Sequence, residues 1–136
     1  MYGKILVPVD LSNANKAERA VKKAEALLDQ GGEIVLMNVV EDLPGYLAID
    51  VPMDIIENAV KDAKSQLAVL KAKSPHISST EIRSGAPARE ILAFAEEIGV
   101  DLIIISSHTP DFTNYFIGST ADRVVRHAKC SVLVDR

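Results

Sequence analysis

The residues best suited to chemistry lie in the last quarter of the chain, between a predicted strand and a predicted helix. An apolar run at 102–105 leads into residues 106–109, which read SSHT, and a polar loop then ends at Gly118-Ser119-Thr120. A helix that begins at Ser119 directs unpaired backbone N–H groups and the positive end of its dipole towards this loop. Such a helix end favours anions, so the segment predicts a phosphate site, with a nucleotide as the expected ligand.

A second polar segment follows the first predicted strand. Pro8, Val9 and Asp10 end the apolar run that begins at Lys4. If both strands belong to one parallel sheet, their carboxyl ends share an edge and the loops after them meet there. Two roles stay open for Asp10: contact with a ligand, or a turn or capping residue before the next helix.

Composition narrows the class of protein. The chain has 136 residues, a formal net charge of -4, and 48% hydrophobic but only 4% aromatic residues, which fits one α/β domain over residues 1–136 with an aliphatic core. It lacks the basic run that nucleic-acid binding needs. The single cysteine, Cys130, cannot form an internal disulfide, and the sequence has neither a signal-peptide pattern nor a membrane-spanning apolar run. We therefore expect a cytoplasmic protein without nucleic-acid or membrane partners.

The apolar periodicity predicts five strands that alternate with four helices. The strands are expected at residues 4–9, 33–40, 77–83, 102–105 and 131–134. The helices are expected from a cap at Ser12 or Asn13 to Gly31-Gly32, from about Ile56 to Ser74-Pro75, from Pro87 to Gly99, and from Ser119 to Ala128. This alternation predicts a single-domain, Rossmann-like, doubly wound parallel sheet with strand order 3-2-1-4-5 and helices on both faces.

The same periodicity predicts which helix faces are buried. In the first helix it directs Lys16, Arg19 and Lys23 mostly outward. In the last helix it directs Val124 and Val125 towards the sheet.

Several segments, in a shared order, resemble the universal stress protein family over essentially the whole chain. They are KILVPVDLS from Lys4, the Gly85-x-Pro87 turn, DLIIISSH from Asp101, the pair Gly118-Ser119, and VRHAKCSVLV from Val125. The segment Ser107-His108-x-Pro110-Asp111, with Tyr115, is most similar to the small single-domain branch often called the F and G type.

The resemblance implies an adenine nucleotide, and the phosphate loop departs from the family pattern in its first half. Nucleotide-binding members carry G-x2-G-x9-G-[ST] after the fourth strand and bind ATP between that loop and the aspartate of the first strand. Here Ser106 and Thr109 stand at the first two glycine positions, and eight residues separate Thr109 from Gly118. A β-branched threonine resists the positive φ and the close approach to phosphate that glycine permits.

Carried over residue by residue, the resemblance implies ATP, with ADP or AMP as alternatives, and Mg²⁺ held mostly by phosphate oxygens and water. Asp10 would lie near the ribose or a metal-bound phosphate, and Val39 would offer backbone groups to adenine. No catalytic residue is implied, so slow ATP hydrolysis is the most that we expect. The implied nucleotide-binding residues are Pro8, Val9, Asp10, Val39, Ser106, Ser107, His108, Thr109, Gly118, Ser119 and Thr120.

The resemblance also implies a homodimer that pairs the last strand across a two-fold axis, and apolar edge strands are rarely left exposed. The residues of this interface are Ser131, Val132, Leu133 and Val134. The altered loop leaves a second interpretation open, a nucleotide-free dimeric interaction module of the same family whose protein clients the sequence does not identify. A phosphatase or kinase-like enzyme is disfavoured, because the sequence has no Walker A lysine motif.

Two local features also keep two interpretations each. His108 could bind the ligand or only order its loop. The proline-broken segment 43–53 could cover the site as a lid or form a packed connection.

Overall fold

The computed structural model describes residues 1–41, 52–107 and 118–136, and strands and helices alternate through these ranges. The strands are β1 Tyr2–Pro8, β2 Leu28–Val40, β3 Ile77–Ser84, β4 Leu102–Ser106 and β5 Ser131–Asp135. The helices are α1 Ala14–Leu27, α2 Met53–Ala72, α3 Pro87–Ile98 and α4 Ser119–His127.

The strands form one parallel sheet in the order β3-β2-β1-β4-β5. The predicted strand order and doubly wound fold are confirmed. The chain runs from β1 to β2 and β3 on one side and returns to β4 and β5 on the other. This reversal opens a crevice beyond the carboxyl ends of β1 and β4, where ligands of such sheets bind.

Two apolar clusters, one on each face of the sheet, hold the helices. Ile5 and Val7 of β1 pack with α1 and α2 on one face, while Leu6, between them in sequence, packs with α3 and α4 on the other. Successive side chains of a strand point to opposite faces, so an apolar run without alternation is what a sheet covered on both faces requires. Each fully buried aliphatic side chain contributes about 1.5–3 kcal/mol to stability. The strand ends that border the crevice are thus held rigidly.

The end of α1 differs from the prediction. The helix stops at Leu27 and Leu28 is already extended, so Gly31 and Gly32 lie within β2 and do not cap the helix. Gly31 has a φ of +81°, and a Cβ on Gly32 would come within 2.8 Å of the Gly3 carbonyl oxygen. The pairing of β1 with β2 shifts its register at this point. The glycines therefore allow two strands to approach each other at an irregular pairing.

The apolar face of α4 is narrower than predicted. Val124 is fully buried, but Val125 is 46% exposed. The buried residues of this helix, Ala121 and Val124, are three positions apart, so the next position already turns towards solvent. The prediction that Val125 faces inward was wrong.

Within the described ranges, the helices are too short or too polar to cross a lipid bilayer.

Candidate functional site

A cleft of ≈ 430 Å³ opens at the crevice between β1, β2 and β4. The predicted residues that line it are Pro8, Val9, Asp10, Val39, Ser106, Ser107 and Thr120. The sheet thus brings the end of β1, the end of β2, the end of β4 and the start of α4 around one space. His108 and Thr109 lie outside the described residues, as do residues 43–51 of the segment 43–53 that could be a lid or a packed connection; Met53 begins α2.

Both apolar and polar residues line the cleft. Met37 and Ile91 come from β2 and α3, and Ile105 from β4. Ser12, Lys16 and Thr120 lie among the polar lining residues. A cleft of this size with a mixed apolar and polar lining suits a small ligand that has an apolar part and a charged part.

The loop after β1 is tied to the end of β2 by both backbone groups of Val9. The N–H of Val9 donates to the Met37 carbonyl oxygen at 2.8 Å, and Asn38 Nδ2 donates to the Val9 carbonyl oxygen at 3.0 Å. Asn38 also lines the cleft. Sequence reasoning missed this residue, although an amide within the apolar run of β2 was a usable signal. Its amide fixes the position of the loop that carries Asp10.

Asp10 serves as a turn residue and lines the cleft at the same time. Its Oδ1 accepts hydrogen bonds from the Ser12 backbone N–H at 2.9 Å and from Ser12 Oγ at 2.6 Å. Asn13 then caps α1, because its Oδ1 accepts from the Lys16 backbone N–H at 3.2 Å. The two interpretations of Asp10 are compatible, since a carboxylate that closes a turn can still face the cleft.

Lys16 does not point outward as the helical pattern predicts. Its Nζ donates to the Ser107 carbonyl oxygen at 3.0 Å, and the half-buried side chain lines the cleft. Long side chains can lie along apolar surface while the charged end reaches a polar partner. Lys16 is in the first turn of the helix after the Asp10 loop, so its nearness to the strand ends was the signal that sequence reasoning passed over. It brings a positive charge to the cleft.

The end of β4 is anchored to α1 through the end of β5. The N–H of Ser107, a residue only 6% exposed, donates to the Asp135 carbonyl oxygen at 2.8 Å. The Asp135 carboxylate is buried, with the residue 2% exposed, and pairs with Arg19 and Lys23 of α1. The helical pattern predicted that both cations face mostly outward, but both contact this buried carboxylate.

This anchor perturbs the ionisation of Asp135. Burial by itself raises the pKa of the carboxyl group, but the hydrogen bonds from Lys23 and Arg19 outweigh it and hold the pKa below its usual value. The carboxylate therefore stays charged at neutral pH and keeps α1 fastened to the strand ends.

The start of α4 forms the remaining side of the cleft. Gly118 has a φ of +90°, a conformation that other residues adopt only with strain, and as the N-cap residue it has no side chain to cap the helix. Thr120 lines the cleft, whereas the exposed Ser119 lines a neighbouring cleft. Gly118 is not among the cleft-lining residues, so the predicted set is divided between two adjacent spaces.

The described residues of the cleft do not form a metal-ligand cluster. Within residues 1–41, 52–107 and 118–136, no three His, Cys, Asp or Glu side chains are grouped to hold a metal ion. Among the described lining residues, the acidic ones are Asp10 and Glu41 and the basic one is Lys16.

Known proteins of the same fold match this chain over its full length. The universal stress protein family matches residues 1–136. The chain is 31% identical over 145 residues to universal stress protein G of Shigella flexneri, with all of both chains covered.

Solved structures agree with this assignment. The structure of MJ0577 of Methanocaldococcus jannaschii, 28% identical, superimposes with a TM-score of 0.81 and covers 99% of this chain and 96% of that one. A universal stress protein solved in complex with cAMP, 21% identical, has a TM-score of 0.61 over 99% and 97% of the two chains, which shows a shared fold. The resemblance that the sequence motifs carried is confirmed, and the chain belongs to the universal stress protein family.

Proposed function

We propose that this chain is an ATP-binding universal stress protein, a cytoplasmic, nucleotide-responsive protein that acts as a homodimer in the stress response. The observation that carries the proposal is the ≈ 430 Å³ cleft at the reversal point of the sheet, whose described lining combines apolar residues with polar and cationic groups. Nucleotide occupancy would stabilise one conformation that partner proteins recognise. Slow hydrolysis would be incidental to this role.

The apolar and the polar lining residues of the cleft suit the two parts of an adenine nucleotide. Pro8 and Val39, which are half-buried, offer apolar surface to a base, and Lys16, Thr120 and the start of α4 offer positive charge or hydrogen-bond donors to phosphate. The relative solved with cAMP supports an adenine nucleotide as the class of ligand. ADP and AMP are alternatives to ATP in the same cleft.

A divalent ion would arrive with the phosphates. Mg²⁺ prefers oxygen ligands and keeps several of its waters, so phosphate oxygens would supply most of its coordination. Asp10, at the rim of the cleft, offers the one predicted carboxylate in the described loop after β1.

Isothermal titration tests the proposal directly. ATP in the presence of Mg²⁺ should bind the wild-type protein, and Thr120→Val should weaken binding by about threefold to tenfold, because the lost hydroxyl removes about 1 kcal/mol of hydrogen bonding. Thr80→Val is the matched control, since Thr80 is an exposed residue of β3 that does not line the cleft. Absence of binding heat for ATP, ADP and AMP at all accessible concentrations would refute the proposal.

The proposed dimer uses the free edge of β5. Val132, Leu133 and Val134 are half-buried, and β5 pairs with β4 on one side only within the described sheet. Leu133→Lys should shift sedimentation towards the monomer, whereas Lys129→Gln, just before the strand, should not. Unchanged sedimentation of Leu133→Lys would exclude this interface.

A nucleotide-free interaction module is the second candidate. The serine at position 106 and the threonine at 109 favour it, because both stand where family members that bind ATP carry glycine. A protein that dimerises through β5 and shows no binding of any adenine nucleotide would support this candidate over the first.

A further inference from the structure

A second cleft, of ≈ 420 Å³, lies between the first turns of α3 and α4. It shares Glu41, Pro87 and Thr120 with the first cleft. The two spaces are therefore neighbours that meet at a common wall. Thr120 lines both clefts, and Ser119, the residue before it in α4, lines only the second one. A group bound at the start of α4 would lie at the junction of the two.

Two arginines line the second cleft, Arg89 from α3 and Arg123 from α4. Both are exposed, and among the described residues neither has an ion-pair partner. Arg19, Arg83 and Arg126, in contrast, each pair with a carboxylate. Guanidinium groups remain charged at all physiological pH values and present paired donors that match phosphate oxygens. The second cleft thus holds two cations whose charge the described carboxylates do not neutralise by contact.

The position of Arg89 depends on the glycine of the preceding turn. Gly85 has a φ of +139°, and a Cβ at this residue would lie 3.3 Å from Arg89 Nη2 and 3.2 Å from Glu90 Cγ. The Gly85 N–H donates to the Val40 carbonyl oxygen at 3.0 Å, which fixes the turn against the end of β2. The guanidinium therefore lies close over the backbone of the turn, at the wall of the cleft.

The backbone around the cleft adds donors of the same sign. The N-cap residues of α3 and α4, Ala86 and Gly118, make no side-chain capping hydrogen bond, whereas Asn13 caps α1. The first N–H groups of two helices, beside Arg89 and Arg123, thus receive no cap from the side chain of the N-cap residue. Glu41, at the shared wall, is the carboxylate among the described lining residues, so the cationic groups outnumber it.

We infer that the second cleft is an anion subsite that takes the distal phosphates of a chain leaving the first cleft. The preferred ligand class is then a nucleoside polyphosphate, with three or more phosphates, over a nucleoside monophosphate. Arg89 and Arg123 bind phosphates that only a longer phosphate chain can place in the second cleft, and the first cleft binds the nucleoside. The inference rests on the proposed nucleotide site and names the ligand class of that site.

The test is a chain-length series measured by isothermal titration. AMP, ATP and adenosine tetraphosphate are titrated into the wild-type protein, into the double variant Arg89→Gln/Arg123→Gln, and into the control Lys61→Gln/Lys64→Gln. The control removes the same charge from exposed positions of α2 that line neither cleft. The arginine variant should bind ATP and the tetraphosphate about tenfold or more weakly, as expected for lost hydrogen bonds to a charged group, and should bind AMP as the wild type does. In the control variant, the affinity for each of the three ligands should stay within about twofold of the wild-type value for that ligand.

Each other outcome decides against a part of the account. Equal losses for AMP and tetraphosphate, or no loss for any ligand, would overturn the subsite. If no nucleotide binds the wild type, the proposed function fails, and titration with inorganic tripolyphosphate then decides the subsite: binding that the arginine variant loses would keep it, and no binding would overturn it. Matching thermal unfolding midpoints of the variants show that the differences do not arise from misfolding.

Discussion

The N-terminal ends of α1 and α4 border the same cleft, yet they are built in opposite ways. At α1, Asn13 caps the helix and the Asp10 carboxylate closes a turn with Ser12. At α4, Gly118 supplies no capping side chain, and Arg123 has no ion-pair partner among the described residues. The first end satisfies polar groups with described side chains, and at the second the N-cap residue supplies no side-chain acceptor. If the cleft binds an anion, as proposed, the capped end would hold its shape and the end without this cap would supply donors.

The anchor of α1 should show the largest effect on stability. Arg19→Gln/Lys23→Gln leaves the Asp135 carboxylate buried without its partners, which should cost about 3 kcal/mol of unfolding free energy. Asp135→Asn should cost less, because the two cations are about half exposed and return to water. Urea denaturation measures both. A smaller loss in the double variant than in Asp135→Asn would contradict the importance of the buried carboxylate.

The start of α4 should be sensitive at Gly118. Gly118→Ala introduces a Cβ at a φ of +90°, which should reduce the unfolding free energy by about 1–2 kcal/mol. The matched control is Gly3→Ala, because Gly3 is not among the glycines with positive φ and a Cβ there would approach no atom closer than 3.5 Å. Equal stability of the two variants in the same denaturant series would show that the turn before α4 is not strained.

Acidification should weaken the α1 anchor. Because the pKa of Asp135 is lower in the folded protein than its usual value, its contribution is complete above the unfolded pKa of about 3.9 and is lost as the pH falls through the folded pKa. Release of this one carboxylate changes the unfolding free energy by at most about 1.4 kcal/mol per pH unit. Asp135→Asn should flatten the decline of stability below about pH 4. If the unfolding free energies of the wild type and of Asp135→Asn fall in parallel below about pH 4, Asp135 is not the group whose protonation weakens the anchor.

Loss of the α1 cap should have the smallest effect. Asn13→Ala removes the acceptor for the Lys16 backbone N–H and should cost about 1 kcal/mol. Ala14→Ser, at the next position, leaves the cap in place and serves as the control. Thermal unfolding that is unaffected by Asn13→Ala would mean that α1 does not depend on this cap.

The sequence predicted the sheet well because its signals are local and repeated. Strands and helices alternate through the chain, and right-handed crossovers then restrict the strand order. The predicted ends of the strands also brought residues of the β1, β2 and β4 ends to one cleft. The pair Gly31-Gly32 misled because a glycine pair serves equally well to end a helix or to let two strands approach, and the register that decides between them involves Gly3, far away in sequence.

The groups that sequence reasoning missed contact partners that are far away in the sequence. Lys16 reaches a carbonyl 91 positions away, and Arg19 reaches a carboxylate 116 positions away. A helical wheel places such cations on the solvent side, because it considers one helix alone and does not include the strand ends that pack beside it. Arg89 and Arg123 belong to the same class, since only the folded chain shows that both line one cleft.

An amide-resolved NMR titration with ATP and Mg²⁺ tests most directly whether the nucleotide occupies the cleft with its phosphates at the start of α4. We expect the largest shifts at Gly118, Ser119 and Thr120, clear shifts at Val39, and small shifts at Ala14 and Asn15 in the capped first turn of α1. Spectra that do not change, or changes confined to β5 or the exposed face of α2, would contradict the account.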